Sequence, residues 1–505
     1  MPLPTPDTPT PEEDPVRRSA SGHLLALAAG PAVAVLLYLL PMPALTADAH
    51  ALTAILGCVI LYWILEPIPL PVTSLLGSAA CVIAGLGSAK SVFASFGHPI
   101  IFLFIGSFLL AEAMAVHGVD RRVATAILSL AWVGARPSRI LLALGAATAV
   151  ISMWISNTAA TALMLPIGLG VLATLRDASA ESMGSYRIGL MLMLSYAATV
   201  GGMATIIGTP PNLIGAGLIA QQAGVTISFF TWMVVGFPLA IVMLASAWAL
   251  LFRLHPSHMP VLAGIHESVR NQAVRLGPWT RGQMNACLAF GVAVFLWVAP
   301  GLFAAIAGSE NPAVLWIETH LPNELVALLA AGLLFVLPVD LRGNTFTLSW
   351  KEATRINWGI ILLFGGGLAF GDLMIKTGLS HAVGEGFVTF FGVTTVWGLT
   401  AIAIVAGVVV SELASNTASA SLLVPVVIAI AQAADVSAVP PALGACLGAS
   451  LGFALPVSTP PNAIVYGTGL VPMKSMIRTG VLFDLIGAIL IWIGLWILCP
   501  LAGLM

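Results

Sequence analysis

This chain has few charged residues. Only 8% of its 505 residues are Asp, Glu, Lys or Arg, whereas 59% are hydrophobic, and the mean hydropathy is +1.02. Soluble domains carry about 25% charged residues, so this composition excludes an ordinary soluble protein. The stretches 140–175 and 188–252 contain no charged residue and no histidine, and each exceeds the roughly 20 residues that span a bilayer. The sequence predicts an all-α polytopic membrane protein.

Other scarcities exclude further classes. A net charge of −2 with 19 Lys and Arg residues provides no basic surface for nucleic acid. The five cysteines stand singly in apolar runs without metal-ligand spacing, which is typical of packing residues. In residues 1–20, prolines and acidic residues precede Arg17 and Arg18, the reverse of a cleaved signal peptide. We therefore expect a disordered cytoplasmic tail followed by an uncleaved first helix.

Two polar sequence words occur twice in this apolar chain. The triplet Ser-Asn-Thr recurs at an offset of 259 residues, and the tetrad Thr-Pro-Pro-Asn recurs at an offset of 250. Four residues that precede the first triplet, among them Gly106, also align with identical residues 260 positions later. The small drift in offset indicates an internal repeat. The words are Ser156-Asn157-Thr158 with Ser415-Asn416-Thr417, and Thr209-Pro210-Pro211-Asn212 with Thr459-Pro460-Pro461-Asn462.

The repeat divides the chain into four parts. A tail at 1–20 precedes a first membrane repeat at 21–252, and a second membrane repeat occupies 283–505. The linker at 253–282 holds Arg253, Arg270, Arg275 and Arg281 and is expected to be cytoplasmic by the positive-inside rule. Repeats of this kind in a membrane protein are usually inverted, with the site where the halves meet near the bilayer midplane.

Hydropathy and helix breakers predict the elements of each repeat. The Gly-rich tracts 98–117 and 358–378 are candidates for re-entrant hairpins, because they contain glycines and carboxylates where a lipid-facing helix would not. In the first repeat we expect helices at 23–40, 46–65, 71–87 and 228–252, an amphipathic piece at 120–133, and segments broken at the polar words at 137–175 and 186–222. In the second we expect helices at 284–303, 322–338 and 479–499, an amphipathic piece at 347–356, and broken segments at 394–434 and 440–470.

A broken helix in mid-membrane is a candidate site. Backbone groups freed by the break have no partner in lipid, so breaks are tolerated only where they are buried in protein or line a wet cavity. Freed carbonyls with Ser and Asn oxygens suit a small hard cation, and the N–H groups at the start of the next helix suit an anion. Two consecutive prolines cannot lie inside a helix, so each tetrad marks a point where the chain opens and restarts.

Charged side chains near the polar words are few. No Arg or Lys lies within 140–175 or 413–434, so an anionic substrate must be neutralised by helix ends and co-bound cations. The carboxylates Glu112, Asp372 and Glu412 lie in or beside apolar tracts, where ionisable residues are functional candidates. For Glu412, beside the second triplet, a structural hydrogen bond or ion pair competes with a proton relay.

The motifs resemble those of the divalent anion:sodium symporters, the dicarboxylate and citrate carriers. The resemblance covers the chain after about residue 20. It implies two inverted repeats, about eleven transmembrane helices and two re-entrant hairpins, with scaffold and transport domains that work as an elevator in a homodimer. The matching stretches are Glu66-Pro67-Ile68-Pro69-Leu70-Pro71-Val72-Thr73, Ser152-Met153-Trp154-Ile155-Ser156-Asn157-Thr158, Ile207-Gly208-Thr209-Pro210-Pro211-Asn212 and Ser415-Asn416-Thr417.

The same resemblance implies the site residues. When the family's site residues are assigned to the matching positions of this chain, each half of the molecule has one sodium site. Residues from both halves then contact the substrate carboxylates. The first sodium site would use Ser152, Ser156, Asn157 and the Gly208 carbonyl, and the second Ser411, Ala414, Asn416 and Ser458, with Ala414 and Ser458 acting through their carbonyls. The substrate would meet Asn157, Thr158, Ser415, Asn416 and Thr417.

We therefore expect a carrier and not an enzyme: a sodium-coupled importer of C4-dicarboxylates such as succinate, fumarate or malate in the bacterial inner membrane. Sodium-independent dicarboxylate exchange and a citrate- or sulfate-type substrate are the alternatives within the family. Outside it stand an intramembrane enzyme built on Glu112 and Asp372, and a passive anion channel, which the absence of basic rings disfavours.

Overall fold

The structure of the protein, a computed structural model, describes residues 20–173, 185–257, 274–308, 310–392 and 395–505. The predicted tail and the middle of the predicted linker lie outside these residues. The described chain is helical apart from one two-stranded antiparallel ribbon, β1 (Pro338–Asp340) and β2 (Thr345–Phe346). Proline stands in the first turn of several helices, where its missing N–H removes no hydrogen bond.

The helices follow the predicted order, with ends that differ by a few residues. Short helices at 89–94 and 312–320 and the helix at 379–391 were not predicted. Those before the linker are α1 (Ala20–Leu39), α2 (Ala47–Leu65), α3 (Leu70–Ile83), α4 (Ala89–Ala94), α5 (Pro99–His117), α6 (Val119–Leu128), α7 (Pro137–Ser152), α8 (Asn157–Ala173), α9 (Tyr186–Met203), α10 (Pro210–Leu218) and α11 (Phe229–Leu254). Those after it are α12 (Arg281–Ala307), α13 (Pro312–His320), α14 (Asn323–Val336), α15 (Trp350–Ala353), α16 (Trp358–Thr377), α17 (Leu379–Phe391), α18 (Val396–Leu413), α19 (Asn416–Ala433), α20 (Val439–Ala449), α21 (Pro460–Gly467) and α22 (Met473–Leu501).

The described helices make this an integral membrane protein. Nine of them are long and apolar enough to cross a membrane, or ten if the bent pair α13 and α14 counts as one span. Those ten include α18 and α19, which form a hairpin, and omit both broken helices and the short apolar α3. The hairpin helices α18 and α19 do not count as crossings, whereas α3 and each of the two broken helices count as one. The described residues then contain eleven candidate crossings, the number that the resemblance implies.

The prediction of hairpins in the Gly-rich tracts is wrong. The tracts form the uninterrupted helices α5 and α16, and their glycines serve close packing. A Cβ on Gly106 would overlap the backbone of Ala327 in α14, and a Cβ on Gly366 would overlap Ser74 in α3. Each tract thus packs against a helix of the other repeat, and the aligned glycines allow the close approach.

The hairpins lie instead at the two triplets. We name α7 with α8 the first hairpin and α18 with α19 the second hairpin. In the first, α7 runs parallel to α9 while α8 runs antiparallel to it, so the turn at 153–156 is the tip of a hairpin. The contacts that fix these directions are Gly145 with Met193 and Ala149 with Gly201 for α7, and Asn157 with Gly202 and Gly168 with Leu190 for α8.

The two repeats are inverted. We name α9 with α10 the first broken helix, interrupted at 204–209, and α20 with α21 the second broken helix, interrupted at 450–459. Ser195, before the first break, donates to Asn462, after the second. Cys446, before the second break, donates to the carbonyl of Pro211, after the first. These crossed contacts require the broken helices to run antiparallel.

Candidate functional site

The tip of the first hairpin brings four predicted residues together. Ser152 is fully buried at the end of α7, and its Oγ donates to Oδ1 of Asn157 at 2.8 Å. Ser156 is exposed, and its Oγ accepts the N–H of Ala159 at 3.2 Å, so it caps α8. Thr158 is exposed in the first turn of α8, where N–H groups have no intrahelical partner. The tip therefore presents hydroxyl and amide oxygens beside free helix donors.

The tip of the second hairpin repeats this arrangement. Ser411 is fully buried, and its Oγ donates to Oδ1 of Asn416 at 2.7 Å. Ser415 caps α19 by accepting the N–H of Ala418 at 3.2 Å. Thr417 is half-buried, and Ala414 is buried between the two arms. The Ser–Asn pair separated by five residues is thus one structural unit built twice.

Each tip touches the break of the neighbouring broken helix. In the first half, Oδ1 of Asn157 and the carbonyl oxygen of Gly208 both border the place that a Cβ on Gly202 would take. In the second, Nδ2 of Asn416 donates to the carbonyl of Ser450 at 3.3 Å. The structure therefore gathers neutral oxygens from a tip and a break in both halves, and these are ligands that a small hard cation accepts.

The two breaks differ in the space between the backbone segments on either side of them. Gly208 packs against the backbone of Gly202, where no side chain fits. The matching position in the second half holds Ser458, whose Cβ lies 3.3 Å from the place that a Cβ on Gly452 would take. The second break is therefore more open at this position.

Two asparagines hold the breaks open. Asn212 and Asn462, the last residues of the tetrads, are fully buried. In both, Nδ2 donates to two carbonyls, ten and seven residues earlier, at 2.8 to 2.9 Å. These carbonyls lost their helical partners at the break, and buried carbonyls need a donor. We name Asn212 and Asn462 the clamp asparagines; their acceptors are Gly202, Thr205, Gly452 and Leu455.

Glu412 belongs to the second half-site through hydrogen bonds. Its carboxylate accepts the N–H of Ala454 at 2.8 Å, the N–H of Leu455 at 3.2 Å and the hydroxyl of Ser458 at 2.6 Å. Asp484 of α22 is buried against the same carboxylate. The first half replaces Glu412 with Met153, whose carbonyl accepts the hydroxyl of Thr205 at 2.6 Å. Each tip is thus tied to its break, by a carboxylate in one half and a hydroxyl in the other.

The other predicted carboxylates lie away from the tips. Asp372 forms an ion pair with Lys376 one turn later on α16, and both side chains are partly exposed. Glu112 is half-buried on α5, near Arg355 and Glu352 that follow the β ribbon. Within the described residues, no three His, Cys, Asp or Glu side chains lie close enough to hold a metal ion together.

The sequence-based prediction missed several of these residues. It explained the prolines of each tetrad and left the final asparagine without a role, although its repetition was the signal for the clamp. Gly202 and Gly452 share the offset of 250 and could have been found the same way. Asp484 carried no such signal, because it has no carboxylate partner nearby in the sequence.

Comparison with known proteins places the chain among transporters. The family model described as the sodium:sulfate symporter transmembrane region matches residues 22–504. The chain is 33% identical over 488 residues to the sodium-dependent dicarboxylate transporter SdcS of Staphylococcus saprophyticus, covering 95% of this chain and 92% of the relative. It is 32% identical over 491 residues to SdcS of Staphylococcus aureus strain USA300, with the same coverage.

Two solved structures share the fold. The Alcanivorax borkumensis YdaH transporter matches with a TM-score of 0.52 and 14% identity over 94% of this chain and 97% of that one. Neisseria gonorrhoeae MtrF, described as illuminating a class of antimetabolite efflux pumps, matches with a TM-score of 0.52 and 13% identity over 92% and 96%. At these identities the likeness concerns the fold alone.

Proposed function

The chain belongs to the sodium:sulfate symporter family, a family of transporters and not of enzymes, and we propose that it imports C4-dicarboxylates such as succinate, fumarate or malate together with sodium. The similar SdcS proteins are named sodium-dependent dicarboxylate transporters, which favours a dicarboxylate over sulfate or citrate. Sodium is here a transported co-substrate.

The duplicated Ser–Asn contact is the observation that carries the proposal. Two hairpin tips in inverted orientation each present a buried serine bonded to an asparagine beside an opened helix. A doubly charged anion needs cations beside it, because the described tips carry no Lys or Arg. Two cation sites, one in each half, neutralise two carboxylates.

The finer assignment follows from the two tips. Sodium in the first half meets Ser152, Ser156, Asn157 and the Gly208 carbonyl. In the second half it meets Ser411, Asn416 and the carbonyls of Ala414 and Ser458. The carboxylates of the substrate meet the exposed helix starts: Asn157 and Thr158 on one side, and Ser415, Asn416 and Thr417 on the other.

Sodium binds before the anion in this scheme. Without sodium, the carboxylates face only neutral donors at the starts of α8 and α19. With sodium, each tip gains a positive charge, and the N–H dipoles add to its attraction for an anion. Asn157 faces both the cation and the anion, so it couples their binding.

We further propose that the hairpins and broken helices move together as a transport domain against a scaffold of the remaining helices, in a homodimer. The support is the close packing of each hairpin on its broken helix, which fits one rigid unit better than separate parts. The N-terminus and the linker lie in the cytoplasm of the cell, since Arg17, Arg18 and the linker arginines fall on that side by the positive-inside rule.

The test is uptake of radiolabelled succinate into proteoliposomes with and without an inward sodium gradient. We expect the gradient to accelerate uptake, with sulfate and citrate competing weakly. Equal uptake under both conditions, accelerated by dicarboxylate inside the vesicles, would establish sodium-independent exchange and overturn symport. Stronger competition by sulfate or citrate than by malate would overturn the substrate assignment alone.

A further inference from the structure

The two clamp asparagines differ in the hydrogen bonding of the amide oxygen Oδ1. Oδ1 of Asn462 accepts the hydroxyl of Ser195, a residue of the other repeat. Oδ1 of Asn212 is buried and has no hydrogen-bond partner among the described residues. Each hydrogen bond to an asparagine amide, whether at its oxygen or at its NH2 group, adds to what holds the side chain in place. The second clamp is therefore fixed at both ends, and the first at one.

The sequence explains this difference. The breaks align at an offset of 250, which pairs Ser195 with Ala445. Cys446, the next residue, donates to the carbonyl of Pro211 at 3.0 Å, so this part of α20 does face the first clamp. Ala445 has no hydroxyl to offer Asn212. The inverted symmetry therefore pairs Ser195 with Ala445, and of these two positions only Ser195 has a hydroxyl that can donate to a clamp asparagine.

The bond from Ser195 reaches the second half-site in two steps. Asn462 holds the carbonyls of Gly452 and Leu455 at 2.9 Å. A Cβ on Gly452 would lie 3.3 Å from Oγ of Ser411 and 3.6 Å from Oδ1 of Asn416, so the clamped segment forms one wall of that half-site. The position of this wall depends on the orientation of the Asn462 amide.

We propose that Ser195 is a positioning residue for the second cation site: a hydroxyl in the first repeat that fixes the clamp of the second. The inference rests on the proposed function, because it assigns sodium to that half-site. It also makes coupling between the repeats unequal. A shift of α9 acts on the Asn462 amide through this bond, whereas the bond from Cys446 of α20 ends on the Pro211 carbonyl and not on the Asn212 amide.

The experiment compares two hydroxyl deletions on one buried helix. Ser195→Ala removes the bonded hydroxyl. Thr199→Val, one turn later, removes a buried hydroxyl that has no partner among the described residues and keeps the side-chain volume. For both we measure the sodium concentration for half-maximal succinate uptake, the succinate KM at saturating sodium, and the shift in Tm that sodium produces on the detergent-solubilised protein.

We expect Ser195→Ala to raise the half-maximal sodium concentration about tenfold, since a buried acceptor loses its donor, and to reduce the sodium-induced shift in Tm. The succinate KM at saturating sodium stays within twofold, and Thr199→Val matches the wild type. Ala445→Ser supplies the missing hydroxyl to Asn212 and raises Tm without sodium.

Equal sodium dependence in Ser195→Ala and Thr199→Val would overturn the proposal. A Ser195→Ala variant that loses succinate affinity and sodium affinity in parallel would also overturn it, because general loosening of the fold is then the cause. The wild type separates this from the proposed function: if sodium shifts neither its Tm nor its uptake, the symport proposal itself fails.

Discussion

Replacing Gly202 by alanine tests the close contact between the first hairpin tip and its break. A Cβ at this position would lie closer than 3.0 Å to Oδ1 of Asn157 and 3.2 Å from the carbonyl oxygen of Gly208. Real Cβ atoms do not tolerate the first distance. Asn157 is half-exposed at a tip, so its side chain can rotate away. We therefore expect the Gly202→Ala variant to fold, and the hydrogen bond from Ser152 to Asn157 to break in it.

The expected loss of sodium affinity in Gly202→Ala can be estimated from the overlap of the added methyl group with Oδ1 of Asn157. Overpacking by one methyl group costs about 1 to 3 kcal/mol, which corresponds to about 5- to 150-fold weaker sodium binding if the displaced oxygens are its ligands. The assay is the sodium dependence of succinate uptake in proteoliposomes, together with the sodium-induced shift in Tm. Gel filtration and Tm without sodium establish that the variant is folded.

Gly452→Ala is the matched control, at the same place in the second break. Its Cβ would meet nothing closer than 3.3 Å, which requires adjustments of a few tenths of an ångström. We expect a change in half-maximal sodium concentration of threefold or less. If Gly202→Ala keeps the sodium dependence of the wild type, or if Gly452→Ala is damaged equally, Asn157 and Gly208 do not form the first sodium site as proposed.

The remaining predictions concern carboxylates. Glu412→Gln places an amide NH2 among three donors, so we expect sodium-dependent uptake to fall at least tenfold, whereas Asp484→Asn, which supplies an amide donor beside Glu412, should retain most of it. Asp372→Asn breaks only the partly exposed ion pair with Lys376; uptake should be unchanged and stability within about 0.5 kcal/mol, and lost transport would contradict this reading. Burial raises the pKa of Asp120 on the amphipathic helix α6, so the folded protein binds that proton more tightly than the unfolded chain, and stability falls as pH rises past about 4. Asp120→Asn should therefore raise Tm at pH 7 and leave it unchanged near pH 3.

The family and the membrane fold could be predicted from the sequence because their signals are local. Long uncharged stretches predict spans, and a double proline must open a helix wherever it stands. The position of the hairpins could not be predicted in this way. Tract 98–117 and segment 137–175 are similarly apolar, and hydropathy does not tell a straight helix from two arms that fold back. Gly106 indicated a special backbone, but its cause was the neighbouring Ala327, distant in the chain.

What the sequence by itself determined was that two polar words occur twice, and that each must be buried in protein or line a wet cavity, because lipid cannot satisfy an opened helix. What only the tertiary structure decided was the partner of each group. Asn462 bonds Ser195 across 267 residues, and Asp484 lies against Glu412 of another helix. Such contacts depend on the inverted packing of the repeats. Asn212 has no partner at its oxygen like the one that Asn462 has, and Ala445, the residue that the repeat pairs with Ser195, has no hydroxyl to donate.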